Sequence, residues 1–163
     1  MRRKSQFVQN IQDDRIQQLI DNLISTVQHA HGVGIAAPQV ARGDRLFIVA
    51  SRPNLRYPQA PKMEPTAMIN PRIVASSTKT VKDWEGCLSI PGIRGLVPRS
   101  RSIEIEYTNR DGQLHKQELT DFVARIFQHE HDHLDGIMFL DRVENTRELM
   151  TEDEYQQQFV KLL

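Results

Sequence analysis

Several features that would mark other classes of protein are scarce in this chain. It has one cysteine, Cys87, so no internal disulfide can form, and its use as a thiolate favours a reducing compartment. Charge of neither sign dominates: 21 Lys and Arg stand against 21 Asp and Glu, which removes a global case for nucleic-acid binding. No apolar run approaches the roughly 20 residues of a membrane helix. The basic start Met1-Arg2-Arg3-Lys4 is not followed by the apolar stretch of a secretory signal. Internal repeats, low-complexity tracts and linkers are missing too. What remains, 39% hydrophobic and 26% charged over 163 residues, is the composition of one soluble globular domain spanning 1–163, expected to be a monomer.

What is present centres on Gln128-His129-Glu130-His131-Asp132-His133-Leu134-Asp135-Gly136. On a helix, His129 and His133 stack on one face about a turn apart and can hold one metal ion from the same side. Glu130 between them can lean over the open coordination position as a general base, the HExxH arrangement. The preceding Thr120–Phe127 opens with a Thr N-cap and an acidic first turn, and Phe122 and Ile126 share the histidine face. That face is therefore buried, and buried histidines need partners, which a metal supplies. His131 points the other way and reads as a bystander.

The third ligand distinguishes the enzymes that use this motif. Phe139 stands where a metzincin needs its third histidine. Glu152 and Glu154 lie where a thermolysin-like zinc peptidase takes its late carboxylate. Cys87, upstream in Glu85-Gly86-Cys87-Leu88-Ser89, is the other candidate, and thiolate suits a soft or borderline ion better.

Along the chain, residues 1–12 are polar and carry no signal. Ile16, Leu19, Ile20, Leu23, Ile24 and Val27 have the spacing of an amphipathic helix, ending near His29–Gly32, where glycine can take the left-handed stop. His29 and His31 read as surface residues. Gly32-Val33-Gly34-Ile35-Ala36-Ala37-Pro38-Gln39 is either a tight turn or a wall that something approaches closely, with Gln39 aimed inward. It is no phosphate loop, since no Lys-Ser/Thr follows. Arg45–Ala50 reads as a buried strand, 51–65, with four prolines, as a surface loop, and Ala67–Ile69 as a short strand stopped by Asn70-Pro71. Ile73-Val74 and Thr78–Trp84 suggest further strands. Ser102–Tyr107 alternates like a half-exposed strand, Asn109–Gly112 is a hairpin turn, and Gln113–Leu119 returns. A capping box at Thr151–Glu154 predicts a last helix, with Phe159, Val160, Leu162 and Leu163 as its apolar contacts.

Three motifs thus stand in order: GVGIAAPQ at 32–39, EGCLS at 85–89 and QHEHDHLDG at 128–136. Together they resemble the peptide deformylases, which carry GxGxAAxQ, EGCxS and HExDH at about this spacing; the likeness spans roughly 14–143. It implies an α+β fold of antiparallel sheets around a central helix bearing HExxH. It implies Cys87, His129 and His133 as metal ligands and Glu130 as acid/base. Gln39 and the Leu88 amide would hold the oxyanion, and backbone at Val33, Gly34 and Gly86 would bind the peptide as an added strand. Phe122, Ile126 and Val33 would line a slot for methionine. The implied substrate is a nascent peptide beginning with N-formyl-methionine, with formate as a product. The ligand types by themselves suggest zinc, whereas the resemblance implies Fe(II) in cells, with Zn, Ni or Co able to take the same ligands. It also implies a cytoplasmic, bacterial-type enzyme, or one in an organelle stroma or matrix if a transit peptide has been removed.

Three departures stand out. Relatives usually carry a Pro-Asp-x-x-Leu-Arg-like stretch before the first helix, whereas this chain begins close to that helix. Trp84 occupies a position often acidic in the family. The C-terminal tail, short and acidic at its start, lacks the basic helix with which some bacterial members engage the ribosome, the one macromolecular partner that the resemblance brings into view.

Overall fold

Asp13 starts the first helix: its backbone is extended and its carboxylate accepts from the Arg15 amide at 2.9 Å. The helix, α1, spans Asp14–His29 and buries Ile16, Leu19, Ile20, Leu23 and Val27, as their spacing predicts. Its stop differs from expectation. The left-handed residue is His31 (φ 50°), not a glycine. Gly32 serves close contact instead, since a Cβ there would lie 3.0 Å from Val27 Cγ2 and 3.2 Å from Leu88 Cδ1.

The computed structural model describes residues 1–54 and 57–160. After α1 come β1 (Gly34–Ala36), a 3₁₀ turn (Ala37–Val40), β2 (Leu46–Val49), β3 (Thr66–Ser76), β4 (Thr80–Cys87) and β5 (Ile90–Ser100). Then follow β6 (Ser102–Thr108), β7 (Leu114–Thr120), α2 (Asp121–Leu134), β8 (Leu149–Thr151) and α3 (Glu152–Tyr155). The strands form two antiparallel sheets, ordered β1-β2-β3-β6-β7 and β4-β5-β8.

The five-stranded sheet is covered on both faces, which is why β2 is buried at every position. Leu46 and Ile48 join the cluster under α1, while Phe47 and Val49 join Ala124, Phe127 and Leu134 of α2. Phe47 meets Phe127 edge to face at 5.1 Å. The opposite side of α2 reaches β4 and β5 through buried ion pairs, so the helix lies between the two sheets, as the implied fold requires. No helix among the described residues is long and apolar enough to cross a membrane.

Four local expectations are corrected. First, β3 does not stop at Asn70-Pro71. Asn70 takes φ 50°, the register to β6 shifts between Ile69 and Arg72, and the strand runs on to Ser76. Second, the start of the chain is not idle. The Asn70 side chain accepts from the Val8 amide (2.9 Å) and donates to the Val8 carbonyl (3.0 Å), and Val8 is buried in the α1 cluster. Third, the alternation of β6 breaks at Glu106, which is buried because Arg72 and Lys116 both pair with it. Fourth, Thr120 takes the N-cap position of α2, but its side chain makes no capping hydrogen bond. It ends β7 opposite Ser102, and Asp121 turns the chain with φ 50° while pairing with Arg101 at 2.9 Å.

Strand β5 forms over a stretch interrupted by Pro91, Gly92, Gly95 and Pro98, held by β4 at Ile90 and Arg94–Ser100 and by β8 at Ile93–Gly95. The capping box at Thr151 is present, but α3 lasts one turn and continues as a π turn over Gln156–Val160. Leu162 and Leu163 lie outside the described residues.

Candidate metal centre

β4 ends on Cys87, and α2 brings up His129 and His133 beside it. The His133 Nε2 is 3.4 Å from Cys87 Sγ, and the two imidazoles meet edge to face at 4.9 Å. Donor atoms of the three residues all lie within 4.8 Å of one another. The Glu85 carboxylate holds His129 Nδ1 at 2.9 Å, which makes Nδ1 the protonated nitrogen and leaves Nε2 free to coordinate. One thiolate and two imidazoles suit a soft or borderline divalent ion, so the residues present fit a metal.

Glu130 stands over this cluster because Gly34 lets it. A Cβ at Gly34 would come 2.5 Å from Glu130 Oε1, so the close approach allowed by the glycine-rich stretch is that of the carboxylate. Glu130 Oε2 is buried with no hydrogen-bond partner among the described residues. Burial pushes Glu130 up to about 7, the Glu85 charge adding to it while His129 and Arg99 oppose. A cation on the three donors would favour its charged form again.

Around the donors lies a buried ionic frame. Glu85 accepts from Arg99 at 2.9 and 3.0 Å and from Arg125 at 2.8 Å, besides His129. Arg99 reaches on to Asp132 at 2.5 Å, and Arg142 closes on the same carboxylate at 2.7 Å. Burial works against the charge of Glu85, but Arg99 and His129 outweigh it and hold the carboxyl far below its usual range. Burial also opposes a charge on His129, yet Cys87 and Glu85 raise it well above the ordinary histidine value, so that a cation on the three donors would displace the proton of its Nε2. Burial, aided by His129, lowers His133 to about 3 and keeps it neutral, the form in which an imidazole coordinates a metal.

The cluster opens into a pocket of about 520 Å³, its mouth included, lined among others by Val33, Gly34, Gly86, Leu88, Phe122 and Ile126. Gln39 borders it from the 3₁₀ turn. Its Oε1 accepts from the Ala36 amide (2.8 Å), which fixes the orientation of the side-chain amide. Its Nε2 then faces Ser89 Oγ (3.1 Å) and Cys87 Sγ (3.6 Å). Every residue singled out in the sequence for the site thus lies at the donor cluster or on the pocket wall. His131 stands apart, stacked on Phe127 and beside Arg45 and Asp135. Glu152 is bound by Arg94 at 2.6 and 2.9 Å and Glu154 by the capping box, so neither late glutamate reaches the donors and the thermolysin-like alternative fails.

Sequence reasoning missed the frame: Glu85 as the holder of His129, and Arg99, Arg125, Asp132 and Arg142 behind it. The signal was present in α2, where Arg125 sits among Ala124, Ile126 and Phe127 and, if buried with them, demands a partner.

The profile of the polypeptide deformylase family matches residues 1–148. Peptide deformylase 2 of a Nostoc species is 67% identical over 99% of this chain and 90% of its own length. Peptide deformylase 2 of Shewanella oneidensis is 52% identical over 80% of this chain and 72% of its own. Among solved structures, the Met-Ala-Ser-bound class I type b peptide deformylase of Acinetobacter baumannii superposes with a TM-score of 0.82 at 40% identity, covering 88% of this chain and 90% of that one. The peptide deformylase of Synechococcus elongatus in complex with actinonin gives 0.79 at 35%, covering 90% and 75%.

Proposed function

This chain belongs to the polypeptide deformylase family, and from that premise we propose how its own residues carry out the family's reaction, with residues 1–163 acting as one catalytic domain. It is a hydrolase that removes the N-terminal formyl group from nascent polypeptides. Cys87, His129 and His133 hold one divalent ion. That ion, when bound, supplies a Lewis acid that acidifies water and polarises the formyl oxygen. Glu130 takes the proton of the attacking water and returns it to the leaving amine as the C–N bond breaks, giving formate and a free N-terminus. The Gln39 Nε2 and the Leu88 amide receive the charge that develops on the formyl oxygen.

Substrate binding follows from sheet edges. β1 and β4 are each the outer strand of their sheet, and backbone at Val33, Gly34 and Gly86 borders the pocket between them. An extended peptide adds as a strand there, and its methionine enters the apolar slot of Phe122, Ile126 and Val33. The formyl carbon bears only hydrogen, so a confined space beside Cys87 and Glu130 excludes acetyl. We read ferrous iron as the ion in cells, with zinc, nickel or cobalt able to take the same donors. The enzyme works as a monomer on chains leaving the ribosome, in a reducing cytoplasm or the equivalent organelle space.

The observation that carries this reading is the approach of three donor atoms within 4.8 Å, with a buried Glu130 oxygen that has no hydrogen-bond partner among the described residues. Formate release from formyl-Met-Ala-Ser, together with metal content, tests it. The wild type should deformylate with one bound ion. Cys87→Ala should lose ion and turnover together, and Glu130→Gln should lose ~10²–10⁴-fold in turnover while keeping the ion. A Cys87→Ala protein with full metal content would remove Cys87 from the ligand set.

A further inference from the structure

Trp84 lies three residues before Cys87 on β4 and borders the substrate pocket with Tyr57 and Gly86. Side chains alternate along a strand. Cys87 and Glu85 turn toward the histidines of α2, so Gly86 and Trp84 share the opposite face. On that face Trp84 meets Tyr155 at 6.1 Å and Phe159 at 5.8 Å between ring centroids, and the last two lie 5.4 Å apart. Trp84 and Tyr155 are half-buried and Phe159 is 45% exposed, so the cluster keeps an open side.

The cluster is held from below by Arg94. This side chain is fully buried, makes a two-point ion pair with Glu152, and donates to the Tyr57 hydroxyl at 2.8 Å. Its guanidinium sits over the rings of Tyr155 (4.5 Å) and Tyr57 (5.0 Å). It fills the space a side chain at Gly86 would need, since a Cβ there would lie 3.0 Å from Arg94 Nε. The short α3 and the turn after it are therefore fixed against the back of the substrate strand.

A peptide whose formyl end is at Cys87 and whose chain leaves along β4 runs antiparallel to it, passing Gly86 and then Trp84. Its methionine turns to the α2 face, where Phe122 and Ile126 lie. The next side chain turns the other way. Gly86 presents no side chain of its own, the buried Arg94 closes the space behind it, and Trp84 is the next partly exposed side chain along β4. We propose that Trp84, Tyr155 and Phe159 form an aromatic subsite for the second residue of the peptide, so that this enzyme favours formyl-methionyl peptides with an aromatic or large aliphatic residue after methionine. The inference rests on the deformylase reading of the neighbouring site.

The test is kcat/KM on formyl-Met-Xaa-Ser, with Xaa as Ala, Leu, Phe or Asp, using the metal-loaded full chain. Phe and Leu should exceed Ala by about five- to tenfold, the scale of one good aromatic contact, mainly through KM. Trp84→Ala and Phe159→Ala should each reduce the Phe-to-Ala ratio, Trp84→Ala to near one. Phe159 is exposed enough that its variant retains the fold if Trp84→Ala does not. Formate released at equal rates from all four peptides, or a ratio unchanged in Phe159→Ala and any folded Trp84 variant, overturns the subsite while leaving the deformylase reading intact. No formate from any peptide overturns both.

Discussion

At the scale of single residues, the site depends on one missing methyl group and one oriented amide. Gly34 is flush against Glu130, and a Cβ there would strike the carboxylate at 2.5 Å and Cγ at 2.9 Å. Gly34→Ala should therefore displace the whole buried side chain and its carboxylate, with some loss of thermal stability. A displacement on the order of 1 Å costs about 10²-fold in rate, so turnover should fall while bound metal stays constant; unchanged kcat would show that Glu130 has room to spare. Gln39 is held through its Oε1 by the Ala36 amide, and its Nε2 faces Ser89 Oγ and Cys87 Sγ, where its proposed role is to donate to the formyl oxygen. Such a donor is stronger in the transition state than in the ground state, so Gln39→Ala should lower kcat by ~10²–10³-fold with little effect on KM. A near wild-type kcat would reduce Gln39 to a turn residue.

At the scale of elements, α2 is fastened to the β4–β5 hairpin by charge rather than by apolar contact. Glu85 is the shared partner of His129, Arg99 and Arg125, and all four are buried. Removing the charge of one partner in a buried pair leaves the others uncompensated and costs ~3–5 kcal/mol. Glu85→Gln should thus lower the melting temperature clearly. It should also weaken metal binding by about 10–100-fold, because His129 loses the carboxylate that orients it. A metal titration beside thermal unfolding checks both effects, and full affinity in the destabilised protein would confine Glu85 to holding the fold. Glu130→Gln is the contrast, since Glu130 holds no ligand and its loss should leave affinity intact.

At the scale of the whole molecule, three segments from far apart in the chain converge: the wall before the 3₁₀ turn, the end of β4, and α2. The two sheets meet at that point, and their outer strands, β1 and β4, flank the opening. An enzyme built this way should discriminate at the acyl group as well as at methionine. Formyl-Met-Ala-Ser should be hydrolysed and acetyl-Met-Ala-Ser should not, as followed by release of the free amine. Comparable rates on the two would show that the space beside Cys87 is not confining.

Much of this was legible in the linear chain because it is local. The period of α1, the His129–His133 spacing, the hairpin at Asn109–Gly112 and the capping box at Thr151 each depend on residues within a few positions of one another. The order of the three motifs also carried the family, and it named residues that the fold gathers at one pocket. The two glycines announced a close approach but not what approached. That Gly34 faces Glu130, 96 positions later, is a fact of packing. So is the continuation of β3 past Asn70-Pro71, where the bent strand still finds β6 as its partner. So too is β5, whose prolines and glycines hide a strand that neighbours on both sides hold in place. The buried frame of Glu85, Arg99, Arg125 and Asp132 belongs to the same class. A charge in a sequence reads as surface until tertiary structure removes the water and supplies the countercharge, and only then do these residues become the support of the metal site.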